Sequence, residues 1–283
     1  MIDRNTFAFR GAIIMGLLSF IFGCGAKESP FQQKDGAWYY NETLIAEADP
    51  KSFQVLSGHY AKDTSRVYYA DTRRDSKDYF TTKRSQVTVV ERADPGTFRH
   101  LNSEYAKDKD NVFFEGVAFP VKDIDSFELL DYGYARDRIG AYYHQRPIPG
   151  TEGSTFSTLD SHYSKDAKHV FYSDLEAAPG QPVRRSTQVR NALAASFVTM
   201  ESGYAADAAH VYFKGEVLTD AVSTFRMLQL GYAKTATAVY YTGKLVQGAD
   251  AASFDILERV TDAADARDRV NMYQQGRRTG RVQ

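Results

Sequence analysis

The chain has 283 residues, a net charge of −1 and one Cys. A near-neutral balance gives no electrostatic footprint for nucleic acid or for anionic lipid, and a lone thiol has no partner for a disulfide within the chain. With 43% hydrophobic residues, 19 Tyr and 18 Phe, stability must come from burial and backbone pairing.

In chain order, Arg4 and Arg10 introduce an apolar run, Gly11 to Phe22, that ends at Gly23-Cys24. A short basic region, an apolar stretch and a small residue before the cut describe a secretory signal. The run is short of the roughly 20 residues that span a bilayer. Cys24 directly after Gly23 resembles a bacterial lipobox. That resemblance implies cleavage before Cys24, acylation of its thiol and new amine, and membrane attachment through lipid alone. The alternative is an ordinary signal peptide, or an anchor helix with an incidental Cys. Gly25 after Cys24, in place of Asp, resembles the signal for onward sorting to an outer membrane. Loss of residues 1–23 would change the net charge from −1 to −2, and residues 24–34 read as a tether.

A seven-residue step from Phe to Tyr then recurs six times, at Phe53/Tyr60, Phe98/Tyr105, Phe127/Tyr134, Phe156/Tyr163, Phe197/Tyr204 and Phe225/Tyr232. An aromatic doublet follows each Tyr, as in Tyr68-Tyr69, Phe113-Phe114 and Tyr212-Phe213. Successive Tyr are 45, 29, 29, 41 and 28 residues apart. A fixed period near 29 is the mark of a repeat array whose units cannot bury an apolar face alone. About eight copies fill residues 31–276, the first and last degenerate as capping units should be. The extra residues of the two longer periods fall in Ala70 to Arg92 and Ser173 to Asn191, and read as loops.

Within a copy, Asp49-Pro50 and Asp94-Pro95 resemble a helix N-cap with Pro at the first helical position. Phe53, Leu56 and Tyr60 stand at i, i+3 and i+7, the spacing of one helical face. Gly133, Gly203 and Gly231, each just before the Tyr, suit a helix stop. Tyr-Ala-Lys-Asp then reads as a short extended piece, with an Asp that opens a turn by bonding backbone N–H groups. Val112-Phe113-Phe114 reads as a strand. Glu115-Gly116, Lys214-Gly215 and Thr242-Gly243 read as two-residue hairpin turns. The expected fold class is therefore an α+β repeat array, a short β-meander plus a helical turn per unit, stacked as a solenoid; an all-β, propeller-like array is the alternative.

The copy Tyr105-Ala106-Lys107-Asp108-Lys109-Asp110-Asn111-Val112-Phe113-Phe114-Glu115-Gly116 resembles the DKNYY repeat family of bacterial envelope and lipoprotein contexts. The similarity runs from about Phe31 to Gly276. It departs at Thr235, which replaces the Asp, and at Ile139-Gly140-Ala141. The resemblance implies architecture and no catalytic residues.

No nucleophile elbow, zinc-protease or phosphate-loop motif occurs in the sequence. The six His are scattered, and His59, His100 and His162 read as polar turn residues, so no metal or other cofactor is expected. Asp123/Asp125 and Asp71/Asp75 read as caps and solvated loops. The doublets read as core rather than as sugar platforms, while Tyr79 and Tyr132 are free for contact. The first insertion carries Arg73, Arg74, Lys83 and Arg84, which with Tyr79 form the candidate contact for an acidic partner surface. Residues 277–283 read as a basic, frayed tail. The functional expectation is a lipid-anchored, non-catalytic protein-interaction scaffold of the cell envelope. The alternative is a glycan- or peptidoglycan-binding module.

Overall fold

The computed structural model describes residues 29–74, 83–176 and 183–282. Their strands form eight small antiparallel sheets, and no α-helix occurs among the described residues. We number the sheets in chain order: 1 (31–44), 2 (54–89), 3 (99–119), 4 (128–148), 5 (157–188), 6 (198–219), 7 (226–245) and 8 (255–281). Sheet 1 has three strands and each of the others four, paired in the order in which they leave the chain. In sheet 3 these are Arg99–His100, Tyr105–Lys107, Val112–Phe114 and Val117–Phe119.

The expected α+β class is thus overturned, because the Phe-to-Tyr segment is a strand, a tight turn and a second strand. In sheet 4, Glu128–Leu129 pairs with Tyr134–Arg136 across a turn in which Tyr132 (φ 59°) and Gly133 (φ 78°) are both left-handed. Two successive positive φ values match the twist of a β-hairpin, so the Gly reverses a strand and stops no helix. The i, i+3, i+7 spacing arises because Phe and Leu bracket the two-residue strand and Tyr opens the next. Asp94 accepts from Gly96 N–H (2.9 Å), and its carbonyl accepts from Thr97 and Phe98 N–H. Asp-Pro therefore makes an isolated Asx turn. The hairpin turns at Glu115-Gly116, Lys214-Gly215 and Thr242-Gly243 form as expected. Arg277–Arg281, expected to fray, is the last strand of sheet 8.

The described residues of both insertions, expected to be loops, pair as strands of long hairpins. In sheet 2 they lengthen Val67–Arg74 and Lys83–Val89, and in sheet 5 Val170–Glu176 and Val183–Gln188.

Seven buried clusters hold the sheets together, and each takes its residues from two sheets adjacent in sequence. Side chains alternate across a strand, which explains the aromatic doublet. Tyr68 packs toward sheet 1 with Phe31, Tyr40 and Phe53, whereas Tyr69 packs toward sheet 3 with Phe98 and Phe113. Two adjacent aromatics serve a sheet that is buried on both faces. Each such side chain contributes about 1.5–3 kcal/mol when fully buried.

Tyr-Ala-Lys-Asp performs four tasks at one joint. The Tyr60 hydroxyl donates to Glu104 O (2.8 Å) and accepts from Gly116 N–H (3.0 Å), both in sheet 3. Tyr163 and Tyr204 make the same two bonds into the turns of sheets 6 and 7. Ala61, fully buried, faces back toward sheet 1 and leaves room for Phe53. Lys62 Nζ reaches forward to Pro95 O (2.7 Å), as Lys165 does to Ala194 O and Lys234 to Phe254 O. Asp63 closes its own unit: Oδ1 accepts from Ser65 and Arg66 N–H, and Oδ2 from Asp49 N–H and the Tyr68 hydroxyl.

Candidate functional site

The candidate contact residues lie on the long hairpin of sheet 2. At its base the His59 ring stacks on Tyr69, and Nδ1 lies 2.8 Å from Ala70 O, where a protonated Nδ1 donates. His162 repeats this at the second long hairpin, on Tyr172 and at 3.0 Å from Ser173 O. Sheets with short turns carry Glu104, Gly133, Gly203 or Gly231 at this place. His therefore marks a lengthened strand, a signal that the sequence contains and that its reading as an ordinary turn residue passed over.

Register pairs the basic residues across the ladder. Arg73 stands opposite Arg84 and Arg74 opposite Lys83. Like charges facing each other across a ladder oppose pairing. Arg73 points toward sheet 3, between Asp71 (3.2 Å) and Glu115 (3.7 Å). Its guanidinium is largely exposed, so these pairs contribute no more than about 1 kcal/mol. Lys83 and Arg84 instead border an open groove of about 700 Å³, with Glu42, Asn41, Thr72 and Ser85. Asn41 Nδ2 donates to Ser85 Oγ (2.9 Å) and Thr72 Oγ1 (3.3 Å), fixing the hairpin against the turn of sheet 1. Cross-strand partners share a face, so Arg84 projects with Arg73 toward sheet 3, and Lys83 projects with Thr72 and Ser85 toward sheet 1. Tyr79 and Cys24 lie outside the described residues, as does the Arg74 side chain. Tyr132 is exposed at its turn.

The Asp of each unit is occupied by structure. Burial alone would raise the Asp207 pKa, but hydrogen bonds from Leu193 N–H, the Tyr212 hydroxyl, Ala209 N–H and His210 N–H outweigh it and hold the carboxyl below its usual value. Asp63, Asp137 and Asp166 are lowered in the same way. The partner tyrosines are shifted oppositely: burial, then the Asp207 bond, pushes Tyr212 up. Thr235 replaces the Asp in sheet 7 and still accepts from Ala238 N–H (3.0 Å). Where the unit carries Thr, one oxygen suffices for the turn, and no ligand role is needed to explain the position. Among the described residues no three His, Cys, Asp or Glu gather as metal ligands.

No curated protein matches the chain, and no solved structure does. The profile of the DKNYY family matches residues 31–116 and 117–175, sheets 1 to 4 and into sheet 5, which is half of the chain. Sheets 6 to 8, beyond that match, repeat the strand order and the tyrosine clamp. The chain belongs to the DKNYY family.

Proposed function

We propose that the protein is a lipid-anchored, non-catalytic scaffold of a bacterial envelope, held through Cys24 to a membrane, which Gly25 marks as the outer one. Its long sheet-2 hairpin meets an acidic surface of another envelope protein. The observation that carries this reading is where the side chains are spent. Aromatic and Asp side chains are consumed at the joints, whereas Lys83 and Arg84 stand exposed on a groove. Repeat arrays present extended surfaces suited to protein partners. A photo-crosslinking residue at Gln86 in cells should capture a protein partner, and Lys83→Glu with Arg84→Glu should abolish the adduct. Unchanged adducts would remove the hairpin from the contact. Cys24→Ala should shift the protein out of the detergent phase, and unchanged partitioning would exclude the lipid.

A second reading, a glycan- or peptidoglycan-binding module, draws on the amide and hydroxyls of Asn41, Thr43, Thr72 and Ser85 in the same groove. Its mark is retention on isolated wall sacculus with no protein crosslink.

A further inference from the structure

We infer that a second docking surface crosses the opposite edge of sheets 6 to 8 and takes an extended segment of a partner protein with alternating apolar and basic residues. Each sheet's first strand is an edge, and here these are Val198–Thr199, Arg226–Met227 and Asp255–Ile256. A groove of about 860 Å³ lies along Met227 and Asp255–Ile256 and reaches Met200 and Glu201, just after the strand of sheet 6. Met200, Met227, Leu228, Ile256 and Leu257, all half-buried, supply its apolar lining. The remaining lining residues are Gln229 and three carboxylates, Glu201, Asp255 and Glu258, with no Lys or Arg among them.

Met200 and Met227 pack on the core between sheets 6 and 7, and Leu228 and Ile256 on the core between sheets 7 and 8, yet all four stay half-buried. The row Leu56, Leu101, Leu130, Leu159 seals the earlier cores, and Met200 and Leu228 continue it. Met227 and Ile256 make a second apolar column in two adjacent sheets, whereas Val55 and Leu129 at the same place in sheets 2 and 4 are separated by His100, and sheets 5 and 6 have Thr158 and Thr199. Methionine lends such a surface adaptability. The charge is also unspent. Glu128, on the equivalent strand of sheet 4, is bridged by Arg136, whereas Glu201, Asp255 and Glu258 have no ion pair among the described residues. Arg267, opposite Asp255 in the ladder, does not bridge to it either. Carboxylates around an apolar floor complement cations that flank apolar side chains. Packed sheets lie about 10 Å apart, so three edges span about 20 Å, or roughly six to eight residues of extended chain.

The probe is a fluorescein-labelled octapeptide of alternating leucine and lysine, titrated into the full chain, with a leucine–glutamate octapeptide as control. The lysine peptide should bind and the glutamate peptide should not. Glu201→Lys with Asp255→Lys and Glu258→Lys, all at exposed positions, should weaken the lysine peptide about ten-fold or more and admit the glutamate peptide. An unchanged melting temperature shows that this variant is folded. Photo-leucine in the peptide should crosslink within residues 200–201, 227–229 and 255–258. Lys83→Glu with Arg84→Glu should leave peptide binding untouched, which separates this surface from the hairpin reading. Equal affinity for both peptides, full affinity in the triple variant, or crosslinks elsewhere would overturn the proposal. So would self-association that the triple variant abolishes when the peptide does not bind, since the groove would then serve a second copy of the chain.

Discussion

The joint between sheets 2 and 3 and the joint between sheets 1 and 2 share a layout and differ in chemistry. At the first, Tyr60 places its hydroxyl between Glu104 O, which also accepts from Glu115 N–H, and Gly116 N–H, which has no other partner. At the second, Phe31 stands where Tyr60 stands, because sheet 2 continues into a long hairpin and offers no tight turn to receive a hydroxyl. The joint into sheet 5, the other long hairpin, is intermediate. Tyr134 donates to His162 O (3.0 Å), and the buried Ser164 and Ser173 lie where a turn N–H would be. Phe31 is thus a matched residue and not a decayed Tyr: the next sheet decides whether the ring carries oxygen. The His59 and His162 bonds, and the Asn41 bonds to the first hairpin, take over part of the fastening.

The sharpest way to break this account is at the Asp turn. Asp207→Ala strands the N–H groups of Leu193, Ala209 and His210 and leaves the Tyr212 hydroxyl the longer contact with Asn191 O (3.2 Å), and should cost about 3–5 kcal/mol in urea unfolding. A loss within 1 kcal/mol would show that water replaces the carboxylate. Next come the turn glycines. At Gly215 (φ 82°) an added Cβ would lie 2.7 Å from Tyr172 Cβ, whereas at Gly36 (φ 78°) nothing lies within 4 Å. Gly215→Ala should therefore cost about 3 kcal/mol and Gly36→Ala only about 1, since both pay the left-handed backbone penalty and one adds a clash. Equal losses would mean that the sheets do not press together at their turns.

Tyr60→Phe, by leaving Gly116 N–H without its acceptor, should cost about 1–3 kcal/mol, while Phe31→Tyr should gain nothing. A stabilising Phe31→Tyr would contradict the matching of ring to turn. pH tests the same groups. Asp63, Asp137, Asp166, Asp207 and Asp268 are all lowered in the fold, so their contribution is complete above the unfolded value of about 3.9 and is lost as pH falls below it. Tyr273 is pushed up to about 12 by burial and by its bond to Asp268, so its share persists below pH ~10 and disappears as pH rises through 12. A melting temperature that is flat between pH 5 and 2.5 would refute the carboxylate turns. The smallest effect belongs to His59→Ala, about 1 kcal/mol, read as faster amide exchange along Val67–Arg74 with sheet 8 unchanged.

The repeat period, the hairpin turns at Glu115-Gly116 and Lys214-Gly215, and the turn role of the Asp were legible because each depends on local chemistry: a left-handed pair of residues, or a carboxylate within three residues of its donors. The first strand was not legible. Two residues are too few to show alternation, and Phe, Leu and Tyr around a tight turn imitate the spacing of a helix. Tyr132-Gly133, Ser202-Gly203 and Leu230-Gly231 were the corrective signal, being the same kind of turn already recognised at the second hairpin. Of the candidate contact residues, sequence proximity joined Lys83 to Arg84, but the register puts Arg84 on the face of Arg73 and Glu115 and Lys83 on the other, and only the cross-strand ladder reveals that.

The central claim is that each inner sheet owns half of two cores and the whole of none, the first and last sheets half of one. Residues 191–219, sheet 6 with its entering turn, excised and heated while near-ultraviolet dichroism is followed, should show no cooperative transition, because Tyr204 and Tyr212 lose the neighbours that bury them. A sharp melt of that fragment on its own would contradict the claim directly.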